Sequence, residues 1–302
     1  MLNARVTLQA PAIDQALSQQ IETLFVAHDF TVVERQWLAQ RDDHSCLQWQ
    51  VDGPEEMQPE LLVSLRSEAE QRGADVALQM NAPDSSHYGL AVFDMDSTLI
   101  QAEVIDELAK RAGVGDQVSE ITEAAMRGEL DFKQSFAKRL GLLNGLDVSV
   151  LDSIADSLRL SPGCERLIST LHKQGIKTAI VSGGFNYFGR YLQRKLGFNY
   201  VFANQLDVVD GKVTGEVKSE VVDGNRKAEL LRELAAKEGL ELDQVIAVGD
   251  GANDLPMLGI AGLGVAFHAK PLVRATAKHT ISHMGLDGVL YILGLNDQQI
   301  GN

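Results

Sequence analysis

Apolar and polar residues alternate over residues 5–10, and again over 46–51 and 75–80, each run long enough for a half-buried strand. Residues 13–28 and 60–72 instead carry apolar side chains at three- and four-residue spacing, the period of a helix with one buried face. Residues 31–34 add a short strand. The predicted order is β-α-β-β-α-β, the split βαβ plan of ferredoxin-like domains. Asn81-Ala82-Pro83-Asp84-Ser85-Ser86 is dense in turn formers and sets the boundary of this first unit at residue 84.

After that boundary the pattern changes. Leu90-Ala91-Val92-Phe93 is an unbroken apolar run of strand length, as expected of a strand covered on both faces. Four blocks with helical spacing follow at 103–112, 116–127, 131–143 and 147–158, punctuated by Gly113, Gly128 and Gly145. No strand pattern lies among them, so they predict a helical bundle inserted at about residues 102–160. Ser161-Pro162 predicts the start of a further helix with Pro at its first position, ended by Gly175. Strands are predicted at 177–181, 200–203, 245–248, 263–267 and 279–282, with a hairpin over 205–217 turning at Asp210-Gly211 and a helix over 227–238. Alternating strands and helices predict an α/β doubly wound parallel sheet for residues 85–302.

Composition narrows the partners. The 302 residues are 45% apolar and 23% charged, with a formal net charge of -15. That balance excludes nucleic acid, which needs a basic face, and disfavours anionic membrane surfaces. A phosphorylated small molecule must then find a local positive pocket. Cys46 and Cys164 lack metal-ligand spacing and read as free, buried thiols of a reducing compartment. Neither a signal pattern nor an apolar run of membrane-spanning length is present, so a cytoplasmic protein is expected.

The candidate chemistry lies at three strand ends. Asp94 and Asp96 follow the apolar run of residues 90–93, at the edge where open α/β sheets bind ligands. Two such acids repel unless one is protonated or a cation lies between them, which points to a hard divalent ion, Mg²⁺. Ser182-Gly183-Gly184 and Gly249-Asp250-Gly251-Ala252-Asn253-Asp254 follow two other predicted strands. Their glycines let backbone amides approach an anion, and Asp250 and Asp254 add carboxylates. Lys227, near a helix start, is a candidate positive charge for phosphate.

Asp94-Met95-Asp96-Ser97-Thr98, Ser182-Gly183, Lys227 and Gly249-Asp250-Gly251-Ala252-Asn253-Asp254 resemble, in order, the four motifs of the haloacid dehalogenase-like hydrolase superfamily. The resemblance covers about residues 88–295. Glu103, Ile105-Asp106-Glu107, residues 121–128, Phe132-Lys133-Gln134-Ser135-Phe136, Lys138-Arg139 and Phe202-Ala203-Asn204 further resemble the branch that hydrolyses phosphoserine in the last step of serine biosynthesis. It implies Asp94 as nucleophile, forming an aspartyl-phosphate, and Asp96 as general acid and then base. It implies Mg²⁺ held by the Asp94 side chain, the Asp96 carbonyl and Asp250, with Asp254 behind them. Ser182, Gly183 and Lys227 would hold phosphate, and Asn253 would help position the site. Glu103 would face the substrate ammonium and Arg139 its carboxylate, with Met126 and Phe132 excluding water. Another small phosphomonoester is the competing substrate expectation. Residues 1–84 resemble ACT-like domains, implying either amino-acid sensing or packing, including a homodimer through this unit.

Overall fold

The computed structural model describes residues 2–54, 59–218 and 220–301, except the side chains of Leu2 and Met126. Strand β1 (Leu2–Ala10) buries both of its faces. Ala4, Val6 and Leu8 face helices α1 (Gln15–Ala27) and α2 (Pro59–Gln71) within one apolar cluster. The polar face turns toward the C-terminal part of the chain, where Arg5 donates to the Ile292 carbonyl and Gln9 to that of Gly288. With β2 (Thr31–Gln40), β3 (Ser45–Gly53) and β4 (Asp75–Met80) it forms an antiparallel sheet of order β2-β3-β1-β4, the predicted ferredoxin-like plan. β2 runs six residues past the predicted strand, because an exposed edge with two register irregularities shows little alternation.

The second sheet starts at β5 (Leu90–Phe93), fully buried as its unbroken apolar run requires. Helices α3 (Val104–Ala112), α4 (Gly115–Met126), α5 (Phe132–Gly141) and α6 (Val150–Ser157) form the insert. Next come α7 (Cys164–Lys173), β6 (Lys177–Phe185), α8 (Asn186–Leu196), β7 (Tyr200–Asn204) and the hairpin β8 (Leu206–Val209) with β9 (Lys212–Val217). Then α9 (Gly224–Glu238), β10 (Val245–Gly249), α10 (Leu255–Ile260), β11 (Leu263–Phe267), α11 (Pro271–Thr276) and β12 (His279–Ile281) complete the alternation. All ladders are parallel in the order β12-β11-β10-β5-β6-β7. The chain therefore switches direction of winding between β5 and β10, the position where such sheets open a crevice. Cys46 and Cys164 are free and buried. No helix among the described residues is long and apolar enough to cross a membrane.

Three features differ from expectation. The insert is not closed by helices alone: β9 bonds the turn before α6, with Gly145 N donating to Val213 O at 2.8 Å and Val213 N to Leu146 O at 2.9 Å. Pro162 does not occupy the first helical position. α7 begins at Cys164 after Gly163, whose φ of 78° and contact with Asp287 leave no room for a side chain. Ser182-Gly183-Gly184 does not follow β6 but lies within it, as a bulge between Val181 opposite Phe202 and Phe185 opposite Asn204.

Candidate active site

β5 lies between β10 and β6, and parallel pairing brings the C-terminal ends of all three to one edge. Asp94 continues β5, its N–H donating to Val248 O at 2.9 Å. Its carboxylate oxygen Oδ1 accepts from the Met95 N–H at 2.7 Å and lies 2.9 Å from Lys227 Nζ. Lys227 reaches this point from the first turns of α9, fully buried, and also bonds Asp254 Oδ1 at 2.7 Å. Burial opposes its charge, but Asp254 and Asp94 outweigh that and hold its pKa above the ordinary value.

Asp254 is held from both sides, its Oδ2 accepting from the Asp250 and Gly251 N–H groups at 3.1 and 2.8 Å. Gly249 is required here, because a Cβ would run into the Asp254 carboxylate. Asp250 accepts from Thr98 Oγ1 at 2.8 Å. Asp94, Asp250 and Asp254 each present an oxygen, all within 4.8 Å of one another. Burial and the charges of Asp94 and Asp254 push Asp250 up to about 8. Burial and Asp94, offset by Lys227, push Asp254 to about 6. The set is all-oxygen, crowded, and more negative than one lysine neutralises. It therefore fits a hard divalent cation.

Asp96 is buried beside this cluster, and its Oδ1 has no hydrogen-bond partner. Burial, then Glu103 and Asp94, hold its pKa well above the ordinary carboxylate range, against a hydrogen bond from the Val104 backbone that works the other way. Gly184 packs against it: a Cβ there would lie 2.8 Å from Asp96 Oδ2. Ser97, in the left-handed region with φ of 56°, donates to Glu103 Oε1 at 2.7 Å and fixes that carboxylate at the mouth of the cleft.

The cap side is set by α5, whose start Asp131 caps through the Gln134 N–H. Phe132 leans over the bulge, with its ring tip 3.1 Å from where a Gly183 Cβ would stand, and stacks on Phe136. Lys133 pairs with Asp223 at 3.0 Å, joining the cap to the N-cap of α9. Arg139, two turns beyond Phe132, has a buried Nε without a partner. Burial lowers its pKa against the opposing field of Asp106, Glu103 and Asp96.

The edge thus brings together Asp94, Asp96, Ser182, Gly183, Lys227, Asp250 and Asp254, with Glu103, Phe132 and Arg139 on the cap side. Asn253 lies under the start of α9, its carbonyl 2.8 Å from where a Gly224 Cβ would be. The side chain of Met126 lies outside the described residues. Thr98, Ser97 and Asn204 hold site residues and were not singled out by pattern. Ser97 and Thr98 stand inside the Asp94–Thr98 motif and Asn204 inside the Phe202–Asn204 stretch, but nothing local in the sequence shows which groups they bond.

These features coincide with a family relationship. The model of the haloacid dehalogenase-like hydrolase family matches residues 91–259, and the chain belongs to that family. Within it the chain is similar to phosphoserine phosphatases. It is 47% identical over 231 residues to the phosphoserine phosphatase of Archaeoglobus fulgidus, covering 76% of this chain and 67% of that protein. The crystal structure of a probable phosphoserine phosphatase from Vibrio cholerae in unliganded form superposes with a TM-score of 0.78 at 37% identity, over 98% of this chain and 88% of that one. A phospho-aspartyl intermediate analogue of phosphoserine phosphatase matches with a TM-score of 0.64 at 42% identity, over 68% of this chain and 98% of that one.

Proposed function

We propose that this chain hydrolyses O-phospho-L-serine to L-serine and inorganic phosphate, in the cytoplasm and as the last step of serine biosynthesis. The observation that carries the reading is the pairing of two unlike carboxyls at one strand end. Asp94 is ion-paired to buried Lys227, while Asp96, two residues on, is buried, has one carboxylate oxygen without a hydrogen-bond partner, and has its pKa held above the ordinary range by burial, Glu103 and Asp94. One is a nucleophile and the other an acid, which is the division of labour that phosphomonoester transfer needs.

In the first step an Asp94 oxygen attacks phosphorus. The bond from phosphorus to the serine oxygen breaks, and the Asp96 proton goes to that leaving oxygen. In the second, water attacks the aspartyl-phosphate, Asp96 takes its proton, and the bond to Asp94 breaks to release phosphate. The Asp94 side chain, the Asp96 carbonyl and Asp250 would hold Mg²⁺, which would neutralise charge on the phosphoryl oxygens. Asp254, whose oxygens bond Lys227 and the Asp250 and Gly251 amides, would stand behind those ligands and orient Lys227. Ser182, the Gly183 amide and Lys227 grip the phosphoryl oxygens, with Asn253 steadying the loop.

The cap reads the amino acid. Glu103 faces the ammonium, Arg139 offers its fork to the carboxylate, and Met126 and Phe132 shut out water. Residues 1–84 form a separate unit for amino-acid sensing or for packing into a homodimer. The deciding assay is phosphate release from L-phosphoserine, phosphoethanolamine and sugar phosphates, with and without Mg²⁺. Rapid, Mg²⁺-dependent release from L-phosphoserine alone is expected. Equal rates across the panel would overturn the substrate assignment.

A further inference from the structure

Asn204 ends β7 with no exposed surface, and its carboxamide makes two hydrogen bonds that cross between elements. Nδ2 donates to the Gly183 carbonyl at 2.7 Å, and Oδ1 accepts from the Val222 N–H at 2.9 Å. A carbonyl only accepts and an N–H only donates, so the amide can sit only one way round. Its partners are the parts of the cleft that lack regular pairing. Across the bulge Ser182, Gly183 and Gly184 stand opposite the single residue Ala203, which takes their backbone groups out of the ladder. Asn204 satisfies the carbonyl that this bulge would otherwise strand.

The bond also sets a direction. In a planar trans peptide the C=O and the N–H point opposite ways. With the Gly183 carbonyl held back toward Asn204, the Gly184 N–H points forward and donates to Ser182 Oγ at 2.9 Å. That contact uses a lone pair of the hydroxyl and leaves its proton for another acceptor. The second bond reaches Val222, whose carbonyl lies 3.3 Å from where a Gly183 Cβ would stand. The next residue, Asp223, caps α9 by accepting from the Arg226 N–H at 2.9 Å, and α9 carries Lys227.

We infer that Asn204 is a positioning residue for phosphate. It locks the Gly183–Gly184 peptide to the start of α9, so that the Ser182 hydroxyl and the Lys227 ammonium meet one phosphoryl group together. It never touches the substrate itself. The inference rests on the phosphatase reading for the identity of the anion.

The test compares the wild-type chain with Asn204→Asp, which keeps the shape but sets oxygen against the Gly183 carbonyl, and Asn204→Ala, which removes both bonds. Binding of inorganic phosphate in the presence of Mg²⁺ is measured by calorimetry, beside melting temperature and phosphoserine kinetics. The expected result is a phosphate Kd raised about ten- to a hundredfold, the loss of an oriented hydrogen bond to a charged group, with KM rising in step. Combined with Ser182→Ala, the losses should fall short of additive, because the hydroxyl that Asn204 orients is then gone. A lowered melting temperature with unchanged phosphate affinity in either folded variant would overturn the inference, as would full additivity with Ser182→Ala. A wild-type chain that binds phosphate but leaves phosphoserine intact would instead sink the substrate assignment, and the calorimetric comparison would still decide the role of Asn204.

Discussion

The ammonium of Lys227 lies 2.9 Å from Asp94 Oδ1, with Lys227 fully buried and the Asp94 side chain 9% exposed. A lysine so placed is stable only because Asp254 shares it from the other side. Removing one member of a buried charge set leaves the rest uncompensated, at a cost of about 3–5 kcal/mol. Lys227→Met should therefore melt well below wild type in EDTA, and Mg²⁺ should recover part of the difference by restoring positive charge beside the carboxylates. An unchanged melting temperature in EDTA would show that the cluster does not depend on this lysine.

Asp94→Asn should leave a folded protein without turnover, since an amide is neither a nucleophile nor a good ligand for a hard cation. Beryllium fluoride, a phosphoryl mimic, should bind the wild type and not the variant. Activity above about a thousandth of wild type, a loss under about 4 kcal/mol, would argue against attack by Asp94.

Stability of the metal-free chain should fall with rising pH because of Asp250. Burial, Asp94 and Asp254 move it from 3.8 to about 8. The unfolded chain releases this proton near the lower value and the folded chain near the higher. Between them the folded state binds more protons, so the slope of unfolding free energy with pH is negative. The melting temperature in EDTA should decline from about pH 5 to about pH 8. Mg²⁺ should offset the decline, and Asp250→Asn should flatten it. A melting temperature in EDTA that climbs through this window would contradict the assignment.

How much of this was legible in the sequence depends on the range of the contacts. β5 and its two acids could be read directly, because a strand covered on both faces writes an unbroken apolar run and its end must carry the ligand groups. The four cap helices were legible from their spacing. The bulge at Ser182 was not, because it is set by Asn204 and Val222, which are distant in the chain. Pro162 has the form of a helix start, yet the chain first passes through Gly163 in the left-handed region, where Asp287, far along the chain, leaves no room for a Cβ. Burial of Lys227 was partly written in α9, since Lys227, Leu231 and Leu234 fall at i, i+4 and i+7 on its buried face.

Asp96→Asn should distinguish acid catalysis from a packing role. Burial, then Glu103 and Asp94, raise the pKa of Asp96, which favours the protonated form that a general acid needs. Its loss should slow a serine alkoxide leaving group far more than p-nitrophenolate, which departs without protonation. Equal losses on phosphoserine and p-nitrophenyl phosphate would remove Asp96 from that role.

Arg139 carries the claim to an amino-acid substrate. Its Nε is buried without a partner, burial already works against its charge, and it shares the cap side with Glu103. Such a group is costly unless something anionic completes it, and a substrate carboxylate would do so with two parallel bonds. Arg139→Ala should therefore reduce kcat/KM for phosphoserine sharply. A buried charged contact of this kind is worth about 2–5 kcal/mol, or about thirty- to several-thousandfold. Arg139→Lys should restore only part, because an ammonium cannot form the planar fork. Phosphoethanolamine has no carboxylate, so it should be a poor wild-type substrate and nearly indifferent to either change. If Arg139→Ala lowers both substrates equally, the arginine supports the cap rather than reading the substrate, and the assignment retreats to an unspecified small phosphomonoester.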